Sequence, residues 1–166
     1  MTPTPNPLAA DPEVSGIPAY GTQIQVLSSS SPEDFTSIAG AGDITGRGSS
    51  LGEAETACHS AGVPVRSFIP TLIDAGSITF PCFWNPSDPT QAVSSPFGME
   101  YLFANRIITK FQLVIPDPTH RTRQFRGFVN SLSETYPIAG ICTRNIGIRI
   151  TTPLVDVAPA VSLTPS

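Results

Sequence analysis

Two histidines and three cysteines are the side chains best suited to hold a metal or attack a substrate, and their spacing argues against both. His59 follows Cys58 directly, and neighbours on a strand point to opposite faces, so the pair does not converge on one ion. His120 stands alone in the Pro116–Arg123 turn, and no CxxC or HxxxH spacing occurs anywhere. Cys82 and Cys142 fall in apolar alternating stretches and read as small core residues. An odd number of widely spaced cysteines does not describe a secreted disulfide framework. Serines and acids are plentiful, but no GxSxG or comparable signature assembles them into a hydrolase triad. The chain is therefore read as a non-enzyme that needs no metal and no cofactor.

Two further clusters invite chemistry. The run from Ile38 to Gly48 contains Gly40-x-Gly42, which opens a dinucleotide fingerprint, but Thr45 stands at the third glycine position. No P-loop lysine follows, and no helix follows whose N-terminus would hold a phosphate. A bulge and turn that use glycine's access to positive φ explain the run better. Arg121, Arg123 and Arg126 are the densest basic cluster, with Arg121 and Arg123 on one strand face and Arg126 on the other. Phosphate contact is one reading. A solvated or interfacial face, meeting acids such as Glu53 and Glu55 of a neighbour, is the preferred one.

The elements that must carry these residues are mostly strands. Ile24 and Val26 alternate with Gln23 and Gln25. Ala54, Thr56 and Cys58 alternate with Glu53 and Glu55. Ile78, Phe80, Cys82 and Trp84 share a face, as do Phe111, Leu113 and Ile115, and then Ile146, Ile148 and Ile150. With Phe35–Ala39 and Arg121–Leu132, this makes about seven half-apolar strands. The pattern predicts an all-β fold, a mostly antiparallel sandwich or barrel. One short packed α-helix is expected over Phe97–Arg106, with Ser95 as N-cap and Pro96 in the first turn. His59–Ala75 reads as a seventeen-residue loop carrying Val63, Val65, Phe68, Ile69, Leu72 and Ile73. A loop this long and apolar must fold back on the domain or be covered by a neighbour. Residues 1–16 and 153–166 read as proline-rich arms flanking one domain over 17–152; both keep apolar residues that suggest docking.

Composition fits a surface that meets protein. Charged residues make up 13% of the 166, about half the usual share, and prolines number 18. Residues 1–100 carry ten acids and two bases, Arg47 and Arg66, whereas residues 101–166 carry three acids and seven bases. Either the fold separates these charges onto opposite surfaces, or the two halves interleave and the charges mix. No apolar run approaches the ~18–20 residues needed to span a bilayer. The N-terminus lacks the layout of a signal peptide, which predicts assembly in a reducing cytosol.

The order of segments resembles a known family. Ile38–Gly46 (IAGAGDITG) followed by Phe68–Gly76 (FIPTLIDAG) is similar to a pair of segments in the major tail tube proteins of long-tailed bacteriophages. A strand through Phe80, Asn85-Pro86, a short helix, a strand closing at Ile115-Pro116-Asp117, the run Phe125–Val129 and a final alternating strand follow in the same order. The resemblance covers about residues 17–153. Cys82-Phe83-Trp84 is bulkier than the family pattern, Ser87–Ser95 is long, and the two arms have no counterpart.

The resemblance implies a structural virion protein whose copies form stacked hexameric rings, the tail tube that conducts DNA into the host. Its implied partners are copies of itself and other tail proteins: tape measure, initiator and terminator. DNA would pass through the lumen without specific binding, and no membrane is involved. Val63, Val65, Phe68, Ile69 and Leu72 become candidates for contact between rings, and Gln23, Gln25, Glu53 and Glu55 for the lumen. The location implied is the virion tail, after assembly in the host cytoplasm. The rivals are the ring protein of a bacterial contractile injection system and a monomeric β-sandwich binding module. The last would require an exposed aromatic platform, for which only Phe83, Trp84 and Tyr101 are available, and these read as core residues.

Overall fold

The computed structural model describes residues 16–17, 19–56, 66–117 and 121–158. Among the described residues nine strands and one helix follow one another. They are β1 (Gln23–Ser30), β2 (Glu33–Ser37), β3 (Ser50–Glu55), β4 (Phe68–Asp74), β5 (Ser77–Phe83), α1 (Met99–Ala104), β6 (Thr109–Val114), β7 (Thr122–Thr135), β8 (Thr143–Ile150) and β9 (Val155–Val157). The main sheet is antiparallel in the order β2-β1-β6-β7-β8-β5, and β9 pairs with β7. The expected all-β class with one short helix is the observed one.

β7 is the spine of the sheet. Its first half lies between β6 and β9, with Thr122 opposite both Val114 and Val157. Its second half pairs with β8, and an irregularity between Val129 and Ser131 marks the change. Bulges of this kind bend a strand and raise its twist. The alternating residues of every main-sheet strand from β1 to β8, except β2, then point into one cluster: Ile24, Val26, Ile78, Phe80, Cys82, Phe111, Phe125, Val129, Ile146, Ile148 and Ile150. Phe111 and Phe125 stack across β6 and β7 with ring centroids 5.7 Å apart. Met99 and Leu102 of α1 and Ile38 close the cluster.

The sheet rolls without closing. The segment after β2 crosses from one end of the sheet to the other. Ile38 N–H donates to Ile24 O at 3.0 Å, Gly42 N–H to Pro81 O at 2.7 Å, and Phe83 N–H to Gly40 O at 3.1 Å. Gly40 sits at φ +67°, and a Cβ there would meet the Phe83 backbone at 3.2 Å. The glycine-rich run is thus a turn that seams β5 to the β1–β2 end, as its backbone freedom suggested.

Four boundaries differ from expectation. The helix starts at Met99 with Gly98 as its cap, because Pro96 lies in a turn closed by Gly98 N–H to Ser95 O at 2.9 Å. Half of the expected long loop is strand: Phe68–Asp74 pairs with Ser50–Glu55, so the chain folds a two-stranded hairpin there. The predicted strand extending to Cys58 ends at Glu55, and residues 57–65 lie outside the described residues. The stretch read as a C-terminal arm contributes β9, held by Arg123 Nε to Asp156 Oδ1 at 3.0 Å.

Candidate assembly surfaces

Two surfaces of the domain lack cover among the described residues. The first is the β3–β4 hairpin. All seven residues of β4 are exposed. The register pairs Leu51 with Ile73 and Glu53 with Pro70, with an irregularity on β4 between them, so one face carries Leu51, Glu53, Glu55, Phe68, Pro70 and Ile73. Leu51 is 52% exposed, Ile69 50% and Ile73 75%. The opposite face carries Gly52, Ala54, Ile69 and Thr71. Apolar side chains left open on this scale mark a site of protein contact. The hairpin is rooted firmly: Asp74 Oδ2 accepts from Arg149 Nη2 at 2.6 Å, and Asp74 Oδ1 accepts from Gly76 N–H at 2.8 Å. These bonds hold the Asp74 carboxyl below its ordinary value, the Gly76 N–H first and Arg149 second.

The second surface is the open face of the main sheet. Gln25, Gln112 and Gln124 stand in one cross-strand row, with Ser37 opposite Gln25 on β2. Their side chains form a continuous chain of hydrogen bonds. Gln124 Nε2 donates to Gln112 Oε1 at 3.2 Å, Gln112 Nε2 donates to Gln25 Oε1, and Gln25 Nε2 donates to Ser37 Oγ at 3.1 Å. Gln23 accepts from Ser37 Oγ at 3.0 Å. The amide strip is neutral and crosses four strands at right angles to them. Lys110, in the neighbouring row, is paired with Glu33.

Of the residues singled out from the sequence, Gln23 and Gln25 lie in this strip, whereas Glu53 and Glu55 lie on the separate hairpin. The four do not share a face. Phe68, Ile69 and Leu72 stand exposed on the hairpin, but on both of its faces; Val63 and Val65 lie outside the described residues, as do His59 and His120. Sequence reasoning did not single out Gln112 and Gln124 as site residues. They carry no local signal beyond a polar position, and only the strand register brings them together.

The basic cluster is partly neutralised within the chain. Arg121 pairs with Asp117 and Arg123 with Asp156. Acids of the first hundred residues meet bases of the rest in Glu33–Lys110, Asp74–Arg149 and Glu100–Arg144, so the two halves interleave. Arg144 was not foreseen. Its side chain is 1% exposed and joins Glu100 Oε2 at 3.0 Å, Glu134, and the face of Trp84 at 5.5 Å from the ring centroid. Glu134 also accepts from Tyr136 Oη, and that bond, followed by Arg144, holds its carboxyl below the ordinary value. This network ties β7, β8, α1 and the loop before it. Phe83, expected in the core, is 57% exposed.

Among the described residues no group of three His, Cys, Asp or Glu side chains could hold a metal, and no helix is long and apolar enough to cross a membrane.

No family model matches the chain, and no curated protein matches it. Solved structures do. A chain in the virion of a native gene transfer agent superposes with a TM-score of 0.61 at 14% identity, over 82% of this chain and 95% of that one. A chain of the SPP1 tail tube gives 0.60 at 14% identity, over 85% and 80%. A chain of the sheath–tube complex of an extracellular contractile injection system in its extended state gives 0.60 at 14%, over 88% and 94%. At this identity the likeness establishes the fold: this chain has the architecture of subunits found in phage tails and related injection machines.

Proposed function

We propose that the chain is a non-catalytic structural subunit that polymerises as stacked hexameric rings into a phage tail tube, the conduit for DNA ejection. The observation that carries this reading is the β3–β4 hairpin, an ordered strand pair whose apolar side chains have no cover among the described residues. A monomeric binding module has no use for such a hairpin and risks aggregation through it. A subunit of a polymer buries it against a neighbour. The fold shared with tail and injection-machine chains supports the same reading.

In this assembly the amide strip of Gln23, Gln25, Gln112 and Gln124 faces the bore. Neutral amides hydrate well, and the strip itself adds no fixed cation that would hold passing phosphates. Glu53 and Glu55 then belong to the contact between copies, along with Val63, Val65, Phe68, Ile69 and Leu72. The virion tail is the location, the host cytoplasm the place of assembly, and the tape measure, initiator and terminator the remaining partners. The likeness to the injection-system chain favours a second reading, a tube inside a contractile sheath.

Negative-stain microscopy of the purified protein, taken through rising concentration, tests the proposal. Tubes or stacked rings with a central channel are expected. A preparation that stays monodisperse and single-copy at all concentrations overturns it.

A further inference from the structure

The hairpin has a matching receptor on the far edge of the same molecule. β6 begins at Thr109 opposite Gly127, so from Phe128 onward β7 has no strand on that side among the described residues. Phe103 and Ala104 at the end of α1, Arg106, Ile108, and Phe128, Val129 and Asn130 of β7 line a groove there of about 610 Å³. Phe103 is 43% exposed and Ile108 51%. Arg106 sits at φ +55°, a left-handed conformation uncommon for a residue with a Cβ, directly after the helix. Its guanidinium has no ionic partner among the described residues.

The hairpin carries the complement of each feature. The face that carries Leu51 and Ile73 offers aliphatic side chains suited to Phe103, Ile108 and Phe128. The same face presents Glu53, which has no ionic partner among the described residues, and Glu55, whose only partner there is the exposed Arg66 at 3.6 Å. These acids match the single open cation of the groove. The placement excludes self-docking as the simple solution. The hairpin leaves from the start of β5 and the groove opens beside β7, on opposite edges of the β5-β8-β7 sheet. Edge-to-opposite-edge contact between copies is heterologous, the kind of contact that builds a ring when its rotation closes.

We infer that the β3–β4 hairpin of one copy seats in the groove between α1 and β7 of a second copy, with Glu53 and Glu55 facing Arg106. The inference rests on the tube reading and names the interface that builds it. It is tested by charge reversal, read by sedimentation and negative stain over a concentration series, with far-UV circular dichroism as the check on folding. Arg106→Glu, and separately Glu53→Arg with Glu55→Arg, should each raise the concentration for half-assembly about tenfold or more. Combining all three substitutions should bring it back to within about threefold of wild type. Phe103→Lys, on an exposed helix position, should raise it as well and serves if Arg106→Glu does not fold. Wild-type tubes accompanied by unimpaired assembly of folded Arg106→Glu and Phe103→Lys overturn the groove contact and leave the tube reading standing. A folded triple variant that fails to recover also overturns it. A wild-type chain that never assembles overturns both.

Discussion

Asp74 and Arg149 meet at 2.6 Å where the hairpin leaves the sheet, and the same carboxylate accepts the Gly76 N–H. One acid thus fixes both the last residue of β4 and the turn into β5. Gly76, at φ +80°, permits that turn, and a Cβ there would lie 2.6 Å from Gly48 O. The exposed apolar side chains are therefore held in a set direction before any partner arrives, which lowers the ordering cost of binding.

The pH dependence of this anchor has a definite sign. The folded protein holds Asp74 below its ordinary value of 3.8, so folding favours the ionised form. The anchor contributes fully above about pH 4 and is lost as pH falls through the lowered folded value. Hydrogen exchange of the β3–β4 amides should therefore accelerate in acid before that of β7 and β8. Asp74→Asn should give the same faster exchange at neutral pH. Equal protection of hairpin and core at all pH values would count against the anchor.

Arg144 should be the most sensitive charged position for stability. Its guanidinium is buried between Glu100, Glu134 and Trp84, so truncation removes ionic, hydrogen-bonded and ring contacts together. Arg144→Ala is expected to cost about 3 kcal/mol. At this chain length that lowers the melting temperature by roughly 6–12 °C. Arg126→Ala, on an exposed strand position, should change it by no more than about 2 °C. Calorimetry on the two variants makes the comparison.

Gly98 is required by space. A Cβ on it would stand 1.9 Å from Ala92 O, where backbone must shift to admit it. Gly98→Ala should destabilise by about 1–3 kcal/mol through displacement of the loop before α1. Gly46→Ala, with nothing within 4 Å of the added carbon, is the control and should be near neutral. Urea midpoints of the two variants at constant slope would separate them.

Period-two alternation made the buried faces of β1, β5, β6 and β8 readable, because one buried side per strand is a local pattern. Ile24, Val26, Phe80 and Ile148 are where that pattern puts them. The hairpin was harder. Phe68–Asp74 is apolar on both faces, so it has no alternation, and exposure on both sides is a property of assembly rather than of local sequence. The helix start was misplaced because Ser95-Pro96 has the right chemistry for a cap, whereas the chain closes a turn there, Gly98 N–H on Ser95 O, before the helix begins. Arg144 lies in an alternating strand at a core-facing position, where a lone arginine gives no hint that Glu100 and Glu134 will converge on it. The amide strip depends on cross-strand register between residues up to 99 positions apart, Gln25 and Gln124 among them, which no local pattern encodes.

The amide strip gives the sharpest test of which face DNA meets. Gln25 and Gln124 flank Gln112 on an open sheet face, so arginine at either position has room to extend and the core behind is untouched. Gln25→Arg with Gln124→Arg should leave folding and tube formation intact. Each copy then places two cations in the bore, and the stack repeats them along its length. Phosphates passing that wall exchange their counterions for fixed charge, so ejection should slow and should recover as salt is raised. Dye-reported DNA release from assembled particles, measured across a salt series, reads both effects. Normal release at low salt from tubes that carry both arginines would mean that the glutamines face outward and another surface lines the channel.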